Sequence, residues 1–201
     1  MMMRHAVSMF VACFALVPAS RGQEKPAFPD QKTIMEAMAK AGTPGEEQKK
    51  LDYFAGTWDC VNKFWMDPSK EPMETKATSE SKWIMGGRFL EQKVVGEFGG
   101  VKFEGLGMTG YSNLEKAYVS TWLDNMGTGI ERMTGKMSAD GKTMTFGGES
   151  MCPITHKMLK GREVTKIMGD DKFVSEFYKT MEVGGKEMEM KVMEITYMRK
   201  K

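Results

Sequence analysis

The chain has 201 residues, with 29 lysines and arginines against 27 aspartates and glutamates, for a formal net charge of +2. Balanced charge with no basic run leaves no electrostatic footprint for a phosphate backbone, which excludes nucleic-acid-binding classes. The length suits one domain with a sizeable core.

Residues 1–22, MMMRHAVSMFVACFALVPASRG, have the layout of a secretory signal peptide: Arg4, a short apolar run over 6–17, then small residues. That run is about half of what spans a bilayer, and no later stretch is long enough to do so. Cleavage after Gly22 puts Ser20 and Gly22 at the small-residue positions; cleavage after Ala19 is the alternative. Val11-Ala12-Cys13 has the order of a lipid-attachment site, but Phe10 ahead of it and its mid-run position argue against anchoring. Export to the periplasm or the medium is therefore expected. Losing Arg4 and Arg21 would bring basic and acidic residues level.

Residues 23–50 form a helical linker segment. Asp30 is the expected N-cap of a helix over 30–41, with Ile34, Met35 and Met38 on one face and Gly42 as its stop. In TPGEEQKKLDYFAG, Thr43 is the expected cap of a second helix. Pro44 takes its first position, Glu46 completes a capping box, and Gly56 follows its end near Phe54.

Residues 51–201 read as one β domain. Alternating runs predict strands over 57–66, 73–85, 88–97, 101–111, 116–123, 128–137, 142–149, 160–168, 172–182 and 186–199. Turn residues such as Gly86-Gly87, Gly99-Gly100, Asp140-Gly141 and Gly184-Gly185 separate them. Ten hairpin-linked strands imply an all-β, antiparallel, up-and-down meander, and closing it into a barrel removes both edges. In KEMEMKVMEITYMR the apolar parity changes at Val192-Met193, so a β-bulge there would keep both sets of side chains inside.

Gly56-Thr57-Trp58 opens the first strand and Arg199 ends the last. This resembles the calycin superfamily of lipocalin-like barrels, in which a first-strand tryptophan packs under a last-strand arginine at the barrel floor. A guanidinium over an indole face is a favourable pair. The segments LDYFAGTW (51–58), WIMGGRFLEQ (83–92), FEGLGMTGY (103–111), WLDNMGTG (122–129) and EITYMR (194–199) make residues 51–199 similar to the exported family called domain of unknown function 1579. That resemblance implies an export signal and a barrel-like domain, and no activity.

WLDNMGTG concentrates special residue types. Alternation places Tyr118, Ser120, Trp122 and Asp124 on one face, with Asp124-Asn125 starting a turn in which Gly127 and Gly129 take strained angles. Trp122, Asp124, Asn125, Tyr111 and Arg88 are the candidate ligand-binding residues, the alternative being a capped hairpin. Cys60 and Cys152 form a candidate disulfide in an oxidising compartment, or else two unpaired thiols. His156 is the only histidine outside the signal segment, so it alone could serve a catalytic triad or ligate haem, as one related barrel class does with a single histidine. No nucleophile-elbow pattern accompanies it. The chain holds 22 methionines; Met188, Met190 and Met193 have a spacing that suits Cu(I), while the spread of the others fits a core filler. Glu131, Glu163 and Glu176 could share an interior with Arg88, Arg132 or Arg162, or face solvent. The leading expectation is a cavity that binds a small, largely apolar molecule without cofactor or metal. A structural or interaction module of the cell envelope is the second reading, and an enzyme using barrel carboxylates the third.

Overall fold

The computed structural model describes residues 28–67 and 69–201. The expected signal peptide, with Cys13, lies outside the described residues. Asp30 caps α1 (Gln31–Gly42), its carboxylate accepting from the Thr33 amide at 2.9 Å. The helix buries none of its side chains, and Ile34, Met35 and Met38 form an exposed apolar face. Asn113 ties the end of α1 to the barrel by donating to the carbonyls of Ala41 and Thr43. Thr43 does not cap the next helix, because its hydroxyl is turned back onto the Ala39 carbonyl. Instead α2 (Glu46–Lys49) starts at Gly45, whose amide donates to the Gln48 side chain, and it runs into a 3-10 helix, Lys50–Phe54.

Ten strands follow: β1 (Gly56–Phe64), β2 (Met73–Ile84), β3 (Phe89–Phe98), β4 (Val101–Ser112), β5 (Ala117–Asp124), β6 (Glu131–Met137), β7 (Thr143–Met151), β8 (Met158–Gly169), β9 (Lys172–Val183) and β10 (Lys186–Arg199). Each pairs antiparallel with its sequence neighbour, and β10 returns to pair with β1. The expected closed antiparallel barrel is present, with no sheet edge left open. Gly99-Gly100 and Gly184-Gly185 hold positive φ (59° and 81°, 59° and 77°), the backbone that two-residue hairpin turns need. The register of β10 against β9 shifts between Lys191 and Met193, the place at which the apolar parity changes.

The helical segment seals one end. Leu51, 1% exposed, packs with Tyr118, Met144 and Phe146, while Tyr53 and Phe54 pack on Trp58, Cys60, Phe173 and Tyr197. Burying a leucine so fully contributes about 2 kcal/mol. Polar bonds fix the plug in place: Trp83 Nε1 donates to Asp52 at 2.8 Å, and Gln48 Nε2 donates to the Tyr111 carbonyl at 2.9 Å.

Arg199 joins the plug to the barrel seam. Its guanidinium lies 4.1 Å from the centroid of the Trp58 ring, and the two residues are Cα partners across β1 and β10. Nη1 donates to the Ala55 carbonyl at 2.9 Å, Nη2 to the Tyr53 carbonyl at 2.8 Å, and Nε faces Asp171 at 3.4 Å. Gly56, at φ 116°, leaves the space, since a Cβ there would sit 2.9 Å from Nη1.

The candidate disulfide does not form: Cys60 and Cys152 are both free thiols. Cys60 points inward near the sealed end, whereas Cys152 sits in the β7–β8 connection at the opposite end, so no local adjustment could join them. Their chemistry differs accordingly. Burial, with the Asp59 charge adding to it, pushes the Cys60 thiol up to about 12. Hydrogen bonds from the Thr155 side chain and the nearby Thr155 and Ile154 amides lower that of Cys152. Under neutral, native conditions a maleimide should therefore label Cys152 and spare Cys60, which should react only after unfolding; peptide mass mapping would show this, and native labelling of Cys60 would refute it.

Candidate functional site

Above the sealed end several inward positions are small or polar, set among Val94, Met133, Phe177 and Met193. β2 contributes Ala77, Ser79 and Ser81, β4 contributes Gly105, Gly107 and Thr109, and β9 contributes Ser175. Such short side chains do not reach across a ten-stranded barrel, whose diameter exceeds that of the eight-stranded kind that side chains just fill. The polar atoms bond to one another: Gln92 Nε2 donates to Ser79 Oγ at 2.9 Å, Thr109 Oγ1 to Ser120 Oγ at 3.2 Å, and Thr165 Oγ1 and Ser175 Oγ lie 2.6 Å apart.

Glu163 is the acid of this interior. The strand ladder sets it between Phe146 of β7 and Phe177 of β9, all three on the inner face. Its Oε1 accepts from Thr165 Oγ1 at 3.0 Å. Burial raises its pKa, opposed by hydrogen bonds from Thr165 and Ser175. Among the described residues no lysine or arginine pairs with it. Its side chain lies on the inner face and is half-buried. Tyr197 stands nearby; burial first, then the Cys60 and Glu163 charges, push its hydroxyl well above the ordinary range, against a hydrogen bond with Gln92.

Toward the open end the wall becomes aromatic. Trp122 faces Gly107 across β4 and β5, and its indole lies over Gly105 and Gly107 so closely that a Cβ on Gly105 would collide with the ring. Phe103 stacks alongside at 6.5 Å and 17°, and Phe64 meets Phe98 edge to face at 4.9 Å. At the mouth Lys179 donates to Ser150 Oγ at 2.6 Å and stands 3.9 Å from Glu131. Exposed apolar side chains ring this end: Met66, Met126, Ile130 and Ile154 in its connections, and Val101 and Val183 at the strand ends.

The structure divides the candidate ligand-binding set. Trp122 belongs to the inner wall. Asp124 is occupied locally, accepting from Trp122 Nε1 at 2.8 Å and from the Met126 amide at 2.9 Å. Asn125 extends the β4–β5 pairing, accepting from the Glu104 amide and donating to the Lys102 carbonyl. WLDNMGTG is thus an aromatic wall followed by a side-chain-capped turn, and neither Gly127 nor Gly129 takes a positive φ. Tyr111 lies at the sealed end and borders a surface depression of about 230 Å³ with Glu47, Lys116 and Tyr118. Arg88 is exposed in the β2–β3 turn at that same end and bonds the Met85 carbonyl.

Among the described residues no arginine joins Glu163 or Glu131. Arg162 lies outside, over the Tyr178 ring and against Glu189; Glu176 pairs outside with Lys166 and Lys191; Arg132 pairs with Glu115. Met190 and Met193 lie on the inner face of β10, and Met188 is half exposed near the mouth. His156 is exposed in the β7–β8 connection. Among the described residues no group of three or more His, Cys, Asp or Glu could hold a metal, and no described helix is long and apolar enough to cross a membrane.

Ten antiparallel strands closed around a small-residue waist, with a helical plug at one end, define a single-chain up-and-down β-barrel protein. The chain belongs to the family described as "Protein of unknown function (DUF1579)", whose model matches residues 43–199. No curated protein matches it. Among solved structures it is similar to Rv2717c from M. tuberculosis, at 15% identity and a TM-score of 0.55, covering 79% of this chain and 100% of that one. It also matches a redesigned β-barrel at 10% identity and a TM-score of 0.38, covering 76% of this chain and 96% of the other. The first likeness concerns the fold alone, and the second carries no argument.

Proposed function

We propose that this is an exported protein that binds a small, largely apolar molecule inside its barrel. The observation that carries the reading is the Trp122 wall, laid on Gly105 and Gly107 on the inner face beside the inward hydroxyls of Thr109 and Ser120. Linings of this kind, apolar and aromatic with a few convergent polar groups, are what small ligands contact. The apolar ring at the open end supports entry from that side, since a molecule that shuns water meets apolar surface before the lumen.

The test is a titration with N-phenyl-1-naphthylamine, a neutral apolar dye that fluoresces on leaving water. Saturable binding of one dye per chain, with energy transfer from tryptophan, is expected. The transfer should weaken in Trp122→Phe, and binding should fall in Ser120→Phe, which fills the waist. Absent or non-saturable dye binding would overturn the reading. The ring of Met126, Ile130 and Val101 also favours a second reading, a surface that meets an envelope partner; binding unaffected by Ser120→Phe would favour it.

A further inference from the structure

We propose that the molecule held in this barrel is an organic amine whose ammonium group pairs with Glu163. The inference rests on the cavity reading above and adds the chemistry of the ligand's polar end. An interior acid is ordinarily accompanied by a cation, since an isolated buried charge is costly. Among the described residues Glu163 has only hydroxyl partners, Thr165 and Ser175, and the charged pairs of β8, β9 and β10 lie on the outer face, at the mouth or, for Arg199 with Asp171, at the sealed end.

The surroundings suit an ammonium. Glu163 offers a carboxylate, Thr165 and Ser175 offer hydroxyl oxygens, and the Phe146 and Phe177 positions flank the acid in the ladder. Carboxylate with neighbouring aromatic rings is a combination that recognises amines, through charge and through the ring faces together. The rest of the ligand would extend toward Trp122 and Phe103. A ligand carboxylate would meet the Glu163 acid, and Lys179, which faces the same lumen, is held at the mouth by Ser150 and Glu131, so fatty-acid-like molecules are disfavoured.

The pH dependence has a definite sign. Burial keeps Glu163 protonated to higher pH than an ordinary glutamate; the other ionisable groups on the inner face include Tyr197 and Cys60, Tyr111, Tyr118 and Arg199 at the sealed end, and Asp124, Glu131 and Lys179 toward the mouth. Tyr197 and Cys60 stay neutral through the neutral range, because burial pushes both up. Rising pH therefore ionises Glu163, and amine binding should strengthen until that acid is fully charged. A neutral ligand that accepted the Glu163 proton would weaken over the same interval.

The experiment is calorimetric titration of the protein with 2-phenylethylamine, 2-phenylethanol and phenylacetate, which differ chiefly in head group. The amine should bind about tenfold more tightly than the alcohol, phenylacetate should bind weakest, and the amine's advantage should grow as the pH is raised above the ordinary carboxylate range. Glu163→Gln, which keeps the shape, should abolish both the preference and the pH slope, so that the amine and the alcohol bind alike. Equal affinities, a preference for phenylacetate, no binding of any of the three, or a preference that survives in Glu163→Gln would overturn the amine assignment and leave the cavity reading standing. Failure of the wild-type protein to bind the dye would instead remove the cavity reading, and the assignment with it.

Discussion

Replacing Arg199 with alanine should lower the stability of the barrel by about 3 kcal/mol, a fall of roughly 6–12 °C in Tm for a domain of this size. The loss combines two charge-assisted bonds to the plug carbonyls of Ala55 and Tyr53, the stacking on Trp58 and the contact with Asp171. The Asp171 contact contributes least, because both partners are partly exposed and solvent screens them. Arg199→Lys should recover only part of the loss, since an ammonium keeps the charge but cannot reach two carbonyls as a planar fork does. Dye affinity should change little, because Arg199 lies at the opposite end of the barrel from the mouth. A melting temperature unchanged in Arg199→Ala would show that the pair does not hold the plug.

The second large effect is expected at Gly105. A methyl group there would occupy the position of the Trp122 ring, so the indole must leave its wall. Gly105→Ala should cost about 1–3 kcal/mol by overpacking, red-shift or quench the Trp122 emission, and weaken dye binding. The same substitution made in a Trp122→Ala background should cost much less, because the clash is gone and the two changes are coupled. Additive losses in that double-mutant cycle would mean that Gly105 is needed for its backbone alone.

The barrel was legible in the sequence because its signals are local. Glycine pairs place the hairpins, alternation gives strand length, and the parity change at Val192-Met193 marks the bulge between Lys191 and Met193. Trp58 and Arg199 are found together because they sit at the two ends of the domain, and those ends meet only in a closed sheet. The site was less legible, for two physical reasons. In β8 the apolar Val164 faces outward and the acidic Glu163 inward, the reverse of what hydrophobic alternation suggests, so pattern alone could not single out Glu163 from Glu131 and Glu176. Gly105 and Gly107 did carry a signal, since glycines inside a strand often mark a close approach. Their partner, however, belongs to another strand, and only the β4–β5 register shows that it is Trp122.

The seam between β1 and β10 also sets the order in which the molecule can be completed. Arg199 and Ala55 are 144 positions apart along the chain, and no shorter-range pairing can substitute for the one they close. Hairpins β2 through β9 can zip up from neighbour to neighbour as the polypeptide lengthens, but the open face of β1 must wait for the final segment to arrive. Folding is therefore governed by its most distant contact, the situation in which search is slowest. Until that last strand docks, the intermediate is an unrolled sheet with two unprotected borders, open to association with other chains. A truncation that removes only the last few residues would leave the molecule in that vulnerable state, whatever it did to the lumen.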